Sequence, residues 1–454
     1  WPPSSAVVFS SMCNPVPTPS VPAQATDAAT ERKMSGKEYD ADVLSPTDAW
    51  IEKLDHEAFR EDIKQLGKTL AEQQGPADVA HLNKIIRWSR GCTLLGLATM
   101  WYCINPISIY LISIGTMSRW TIVGHHVCHG GFDKCSKGTY NRFKFGVGSV
   151  WRRVVDWLDW MLVEAWNVEH NQLHHYCLGE VNDPDLVEHN LKFVREMKKP
   201  TWFKYLFIAF FMGTWKWSYY APNTFKMLKI HELRRQGKVP MHRGKPVKDS
   251  LLQAPWTIDF TWLWKDPIFF TSREFFLRVL GPFFFRQFVL VPAIAGLVLG
   301  QTAAFNALVS MVLADIMSNV HAFIVVVPNH AGDDLYRFER HCTPRTATFY
   351  LRQVISSANF TMGTDLIDFH HGWLNYQVEH HLWPDLSMLS YQKSAPLVRD
   401  ICKKHNVPYI KHNVFWRLKK TVDIMTGTSS MRRYPSKWEN EPDLTTYDTA
   451  TAAQ

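Results

Sequence analysis

No Cys-x-x-Cys pair occurs in this chain of 454 residues, and its eight cysteines (Cys13, Cys92, Cys103, Cys128, Cys135, Cys177, Cys342, Cys402) are scattered singly. They read as free thiols, several of them beside histidine clusters on the side that the charge pattern makes cytosolic. There is no Gly-rich dinucleotide fingerprint. No compact nucleic-acid motif accompanies the excess of 50 Lys and Arg over 42 Asp and Glu, so the net charge of +8 points to anionic lipid headgroups and not to nucleic acid. Acidic residues are missing before Asp27 and arginine before Arg32, in a stretch dense in Pro, Ser, Thr and Ala. Residues 1–44 therefore read as a disordered tail with a faint likeness to a transit peptide.

What is present is apolar and comes in blocks. Hydrophobic residues make up 46% and aromatics 13% of the chain, yet mean hydropathy is only −0.18, which suits short membrane spans beneath a large polar cap. Trp88 to Ile104 and Ile107 to Gly124 form one expected hairpin of spans around Asn105-Pro106. Segments 282–300 and 303–327 form the second, around Gln301-Thr302. Neither turn contains Lys or Arg, whereas Arg152, Arg153, Lys198, Lys199, Arg234, Arg235 and Lys248 lie outside the hairpins. The positive-inside rule then puts both termini in the cytosol or its equivalent. Trp202 to Tyr220 and Trp256 to Phe270 mix aromatics with Lys and Asp, and are expected in the headgroup plane, with a fifth span at 202–220 as the runner-up. Val414 to Met425 is expected as a last amphipathic helix, and 426–454 as a polar tail after a membrane domain of 45–425.

Three histidine clusters stand out. His125-His126-Val127-Cys128-His129 places a pair four apart, Glu169-His170-Asn171-Gln172-Leu173-His174-His175-Tyr176 holds three imidazoles in six positions, and Gln377-Val378-Glu379-His380-His381 ends in an adjacent pair. A helical 170–175 run would set His170 and His174 on one face with His175 beside them. A lone His-x-x-x-His is more often surface coincidence than ligand. Three clusters next to long apolar segments are a different matter, and imply more than one redox metal ion held by nitrogen donors. Asp315 and Asn319, four apart within the fourth expected span, are costly in a membrane; they read either as lining a passage to the metals or as a polar contact pinning two spans.

The order His-x-x-x-His, His-x-x-x-His-His, Gln-x-x-His-His resembles the membrane-bound di-iron fatty-acid desaturases over roughly residues 85 to 410, and Gln377 resembles their front-end branch. The resemblance implies an all-α integral membrane fold of four transmembrane helices in two hairpins, with a cytosolic helical cap holding two iron ions. It implies His125, His129, His170, His174, His175, His380 and His381 as ligands, with an eighth after the fourth span. His330 is the choice there, ahead of His321, His341 and the His370-His371 pair. Gln377, Asp183 (within Asp183-Pro184-Asp185) and His126 are expected to orient ligands from behind, although His126 departs from the Asp frequent at its position.

The implied reaction is insertion of a cis double bond into a long acyl chain, carried on coenzyme A or a lipid, with O2 as co-substrate. His-Pro-Gly-Gly, the mark of a fused cytochrome b5 domain, does not occur, so the expected electron donor is free cytochrome b5 with its reductase, or ferredoxin in a plastid. The endoplasmic reticulum is the expected location, a plastid membrane the alternative. A hydroxylase on the same scaffold is the nearest rival activity, and a bis-His haem electron carrier a more distant one.

Overall fold

The computed structural model describes residues 44–157, 159–248, 251–252 and 268–445. The expected N-terminal tail, apart from Leu44, and most of the 256–270 segment lie outside these residues. The described chain is mostly helical, with four short strand pairs that tie loops together.

Two helices, Ser272–Leu299 and Gln301–Asn329, are long and apolar enough to cross a membrane. They join at Gly300, whose φ of 94° suits a residue without Cβ. The first of them turns much of its apolar surface outward: Leu297 is 88% exposed and Val298 73%. A continuous apolar face of that kind needs a cover other than water.

The first expected hairpin is also a packed helix pair, with shifted bounds. Its first helix is Pro76–Thr99, which starts a dozen residues earlier than expected and carries Lys84 against Asp365 at 2.7 Å. The turn runs from Met100 to Asn105. There Asn105 accepts the Ser108 N–H at 2.8 Å and Pro106 opens the next helix, Pro106–Ser118. The two helices run antiparallel, since Thr99 meets Ser108 (2.7 Å) and Ser89 meets both Gly115 (3.1 Å) and Ser118 (2.9 Å). Glycine permits this closeness: a Cβ on Gly115 would come within 3.0 Å of the Ser89 carbonyl. Ala307, Met311 and Ala314 of the long helix pack on Ile112, so the two hairpins share an apolar seam.

Thr201–Met212 has 12 residues, roughly 18 Å at about 1.5 Å each, too short for a fifth span. The last helix, Val414–Thr426, appears where amphipathic spacing put it. Within the expected tail of 426–454, residues 429–445 are a correction. Arg432–Arg433 pairs in parallel with Tyr336–Arg337, Leu444–Thr445 pairs with His341–Cys342, and Glu439 meets the buried Arg352 at 3.0 Å. Its polar composition hid partners that are themselves buried and charged.

Candidate metal centre

Each cluster sits where a helix changes its winding. Residues Arg119–Gly124 adopt wide π-type turns before the short α-turn His125–Cys128, and Asn167–Leu173 is π-type before a tight turn at His174–Tyr176. The second departs from the helical expectation and regroups the imidazoles. In a π-turn residues five apart share a face, so His170 meets His175, Nε2 to Nε2, at 3.3 Å. His174 stays stacked on His170, ring centroids 5.2 Å apart, but turns toward His330 and His381 (4.9 and 5.1 Å).

The imidazoles collect in two groups, in each of which the candidate ligand atoms lie within 4.8 Å of one another. His125, His129, His170, His175 and His380 form one; His174, His330 and His381 form the other. The adjacent pairs are split because neighbouring side chains on a helical turn point about 100° apart. Of the five candidates for the eighth position, only His330 joins either imidazole group. His321 is bonded to the His370 carbonyl at 2.7 Å, His370 and His371 face carbonyls of their own helix, and His341 meets Glu180 at 2.6 Å.

The donor set fits metal ions. His330 Nδ1 lies 3.1 Å from the Ser356 carbonyl and His381 Nδ1 3.1 Å from Gln353 Oε1, so both outer nitrogens donate. Their Nε2 lone pairs then face each other at 3.1 Å, an arrangement that a cation among them would relieve, with the Gln377 amide 2.9 Å from His330 Nε2 as the one neighbouring donor to that nitrogen. In the five-membered group His125 Nδ1 faces the Thr121 carbonyl at 3.3 Å, leaving Nε2 3.1 Å from His170 Nε2. The buried Nε2 atoms of His129 and His380 have no hydrogen-bond partner, as metal-facing nitrogens would not. Burial pushes the imidazoles of His129, His170, His175, His330, His380 and His381 well below their ordinary pKa, which keeps them in the neutral, ligating form. His174 goes the other way: burial opposes its charge, but Asp183 and Asp185 together outweigh it.

The flanking residues are placed unevenly. Asp183 accepts from His174 Nδ1 at 2.8 Å and from the Gly179 N–H at 2.8 Å, so the acidic turn both closes on itself and orients a ligand. Gln377 sets its Nε2 2.9 Å from His330 Nε2, with Oε1 buried and unpartnered. His126 is buried beside His380 with ring centroids 5.8 Å apart, but bonds only the Ile122 carbonyl. Asp185, in the same acidic turn, lies 3.6 Å from His174 Nδ1, and sequence reasoning missed Gln353 and Tyr391 (Oη 3.3 Å from His380 Nδ1) as partners of these rings. Nothing local marks Gln353 or Tyr391.

Of the two readings open for Asp315 and Asn319, the contacts favour the polar pin. Neither lines the cavity described below. Asp315 Oδ2 accepts from the indoles of Trp160 (2.6 Å) and Trp217 (3.0 Å), and Asn319 accepts from the Lys216 N–H at 3.0 Å. They pin the long helix to two aromatic segments, as a polar group buried in an apolar setting must find donors.

Beside both histidine groups lies a narrow cavity of about 100 Å³, partly open to solvent. His125, His170, His174 and His330 reach it, and Trp120, Trp215, Tyr220, Phe211 and Phe323 supply apolar wall. The sequence model of the fatty acid desaturases matches residues 101–413, a stretch holding all eight grouped histidines.

This chain belongs to the fatty acid desaturase family. It is 30% identical over 164 residues to an NADPH-dependent stearoyl-CoA 9-desaturase of Mycobacterium tuberculosis, an alignment covering 36% of this chain and 38% of the relative. It is 32% identical over 121 residues to Delta(5) fatty acid desaturase A of Dictyostelium discoideum, with 25% and 24% covered. A third similarity, 36% over 88 residues, is to a fatty acid desaturase 2-like protein of Mus musculus, with 19% and 17% covered. The chain thus spans well under half the length of these relatives. No solved structure matches it.

Proposed function

We propose that this desaturase-family chain carries out oxygen-dependent desaturation of a long-chain fatty acyl group at a di-iron centre, with electrons from an external carrier. The observation that carries the reading is the pair of imidazole groups, of five and three, facing one apolar cavity. His125, His129, His170, His175 and His380 would hold one iron, and His174, His330 and His381 the other. Iron in a nitrogen-rich site supplies the redox chemistry by which dioxygen can remove hydrogen from an unactivated methylene.

The chain's own part is positioning. Asp183, Gln353, Tyr391 and the Thr121 and Ser356 carbonyls fix the outer nitrogens, so the inner ones stay aimed. Trp120, Trp215, Tyr220 and Phe323 give the cavity an apolar wall that would confine a flexible acyl chain beside the histidines. Wall shape would then select the carbon attacked. Relatives named as acyl-CoA and acyl-lipid desaturases support the acyl substrate class.

The same reading includes four spans in two hairpins, both termini on the cytosolic side, location in the endoplasmic reticulum or a plastid membrane, and cytochrome b5 or ferredoxin as donor. The outward apolar face of Ser272–Leu299 and the seam between the hairpins support the membrane topology. The test is fatty-acid profiling with double-bond location in yeast that express the chain or its His380→Ala variant and are fed unsaturated acids. A new alkene that disappears in the variant is expected. A hydroxylated product would move the activity to the hydroxylase, and iron-free protein from both strains would sink the metal reading.

A further inference from the structure

The eighth histidine stands on a bend of the chain, not on a helix. His330 follows the turn Val327–Asn329 and has φ −122° and ψ 12°, a conformation with no repeating hydrogen bonds to hold it. Its bracketing carbonyls, Pro328 O and Ala331 O, find their partner in a residue 87 positions away in sequence. Arg417, in the first turn of Val414–Thr426 and fully buried, donates Nη2 to Ala331 O at 3.0 Å and points Nε and Nη2 at Pro328 O, each at 3.4 Å. Its Nη1 pairs with Asp334 at 2.6 Å, which satisfies the charge. One turn on, Thr421 Oγ1 lies 3.0 Å from the same Ala331 carbonyl. Gly332 admits the guanidinium: a Cβ there would lie 2.7 Å from Arg417 Nη2.

We propose that Arg417, seconded by Thr421, is a positioning residue of the metal centre, a clamp that holds the His330 bend so that the three-imidazole group can keep its iron. The inference rests on the di-iron reading above. Planar geometry explains the residue type. A guanidinium can reach two carbonyls and a carboxylate together, whereas an ammonium is a point donor. The clamp also couples the last helix to the metals, since Met425 of that helix lines the cavity beside them.

The test is iron content per chain, with Mössbauer spectra of 57Fe-loaded protein, for purified full-length wild type, Arg417→Lys, Thr421→Val and His330→Ala. Arg153→Lys is the control, because Arg153 is also buried and also bonds carbonyls, those of Asp159, Trp160, Met161, Arg278 and Val279, far in sequence from His330. Two irons are expected in wild type and in the control. Arg417→Lys should lose one, with the spectrum of His330→Ala, and Thr421→Val should show about 10-fold weaker retention of that iron under chelator. Folded Arg417→Lys with two irons and a wild-type spectrum would overturn the clamp. If Arg417→Lys does not fold, unchanged retention in Thr421→Val overturns it instead. One iron lost from the control as well would reduce the effect to general stability and also overturn it. Wild type without iron would sink the centre itself, and the clamp with it.

Discussion

At the scale of single residues, the centre depends as much on the groups behind the imidazoles as on the imidazoles. Gln353→Leu removes the acceptor 3.1 Å from His381 Nδ1 and frees that ring to turn. Iron affinity measured by chelator competition should fall about 10–100-fold with the fold intact. Glu379, next to His380, makes a different prediction. Burial pushes its carboxyl up to about 7, against the pull of hydrogen bonds from Tyr409 and Asn359. Between the unfolded value of 4.5 and that point the folded chain binds more proton than the unfolded one. Stability therefore declines as pH rises through that window and levels off above it. Glu379→Gln abolishes the decline, so its melting temperature relative to wild type should climb from pH 5 to pH 8, by an amount worth up to about 3 kcal/mol.

At the scale of elements, helix winding and helix contact decide what the side chains can do. The π-type turns at 119–124 and 167–173 aim His125 and His170 at each other across 45 residues of sequence. The antiparallel pair Pro76–Thr99 and Pro106–Ser118 carries the first of those turns, so its closeness matters to the site. Gly115→Val would bring a side chain against the backbone of Ser89 and Thr93, at 3.0 and 2.9 Å from the first added carbon. Overpacking of that kind costs about 1–3 kcal/mol, and thermal melting should show the loss. On the same pair Gly91→Ala meets nothing within 4 Å and should be neutral or stabilising by about 0.5–1 kcal/mol.

For the whole molecule, the proposal of four spans is open to a direct check. Cys103, in the turn between Pro76–Thr99 and Pro106–Ser118, is the one exposed cysteine among the described residues. In sealed microsomes of a Cys13→Ser variant, a membrane-impermeant maleimide should label Cys103 only after permeabilisation. Labelling in sealed vesicles would put that turn on the cytosolic side and break the topology. The segment 429–445 is held by Arg352 and by strand pairing at 336–337 and 341–342, which ties the end of the described chain to the stretch that follows His330.

By itself the sequence determined the histidines, their placement at the ends of apolar segments, the caps and glycine that turn the hairpins, and the last amphipathic helix. These are matters of local spacing, composition and short-range sterics, and such patterns survive without tertiary context. His330 could be chosen among five neighbours only through the family resemblance. Tertiary structure alone decided the division of the imidazoles into five and three, because it depends on π-turns and on approaches such as that of His125 to His380, whose rings are 4.5 Å apart. It likewise sent Asp315 to two indoles, gave the polar tail buried partners, and set Arg417 around the His330 bend. Each of these is a bond between residues distant along the chain, and periodicity carries no information about which distant element will supply the other half.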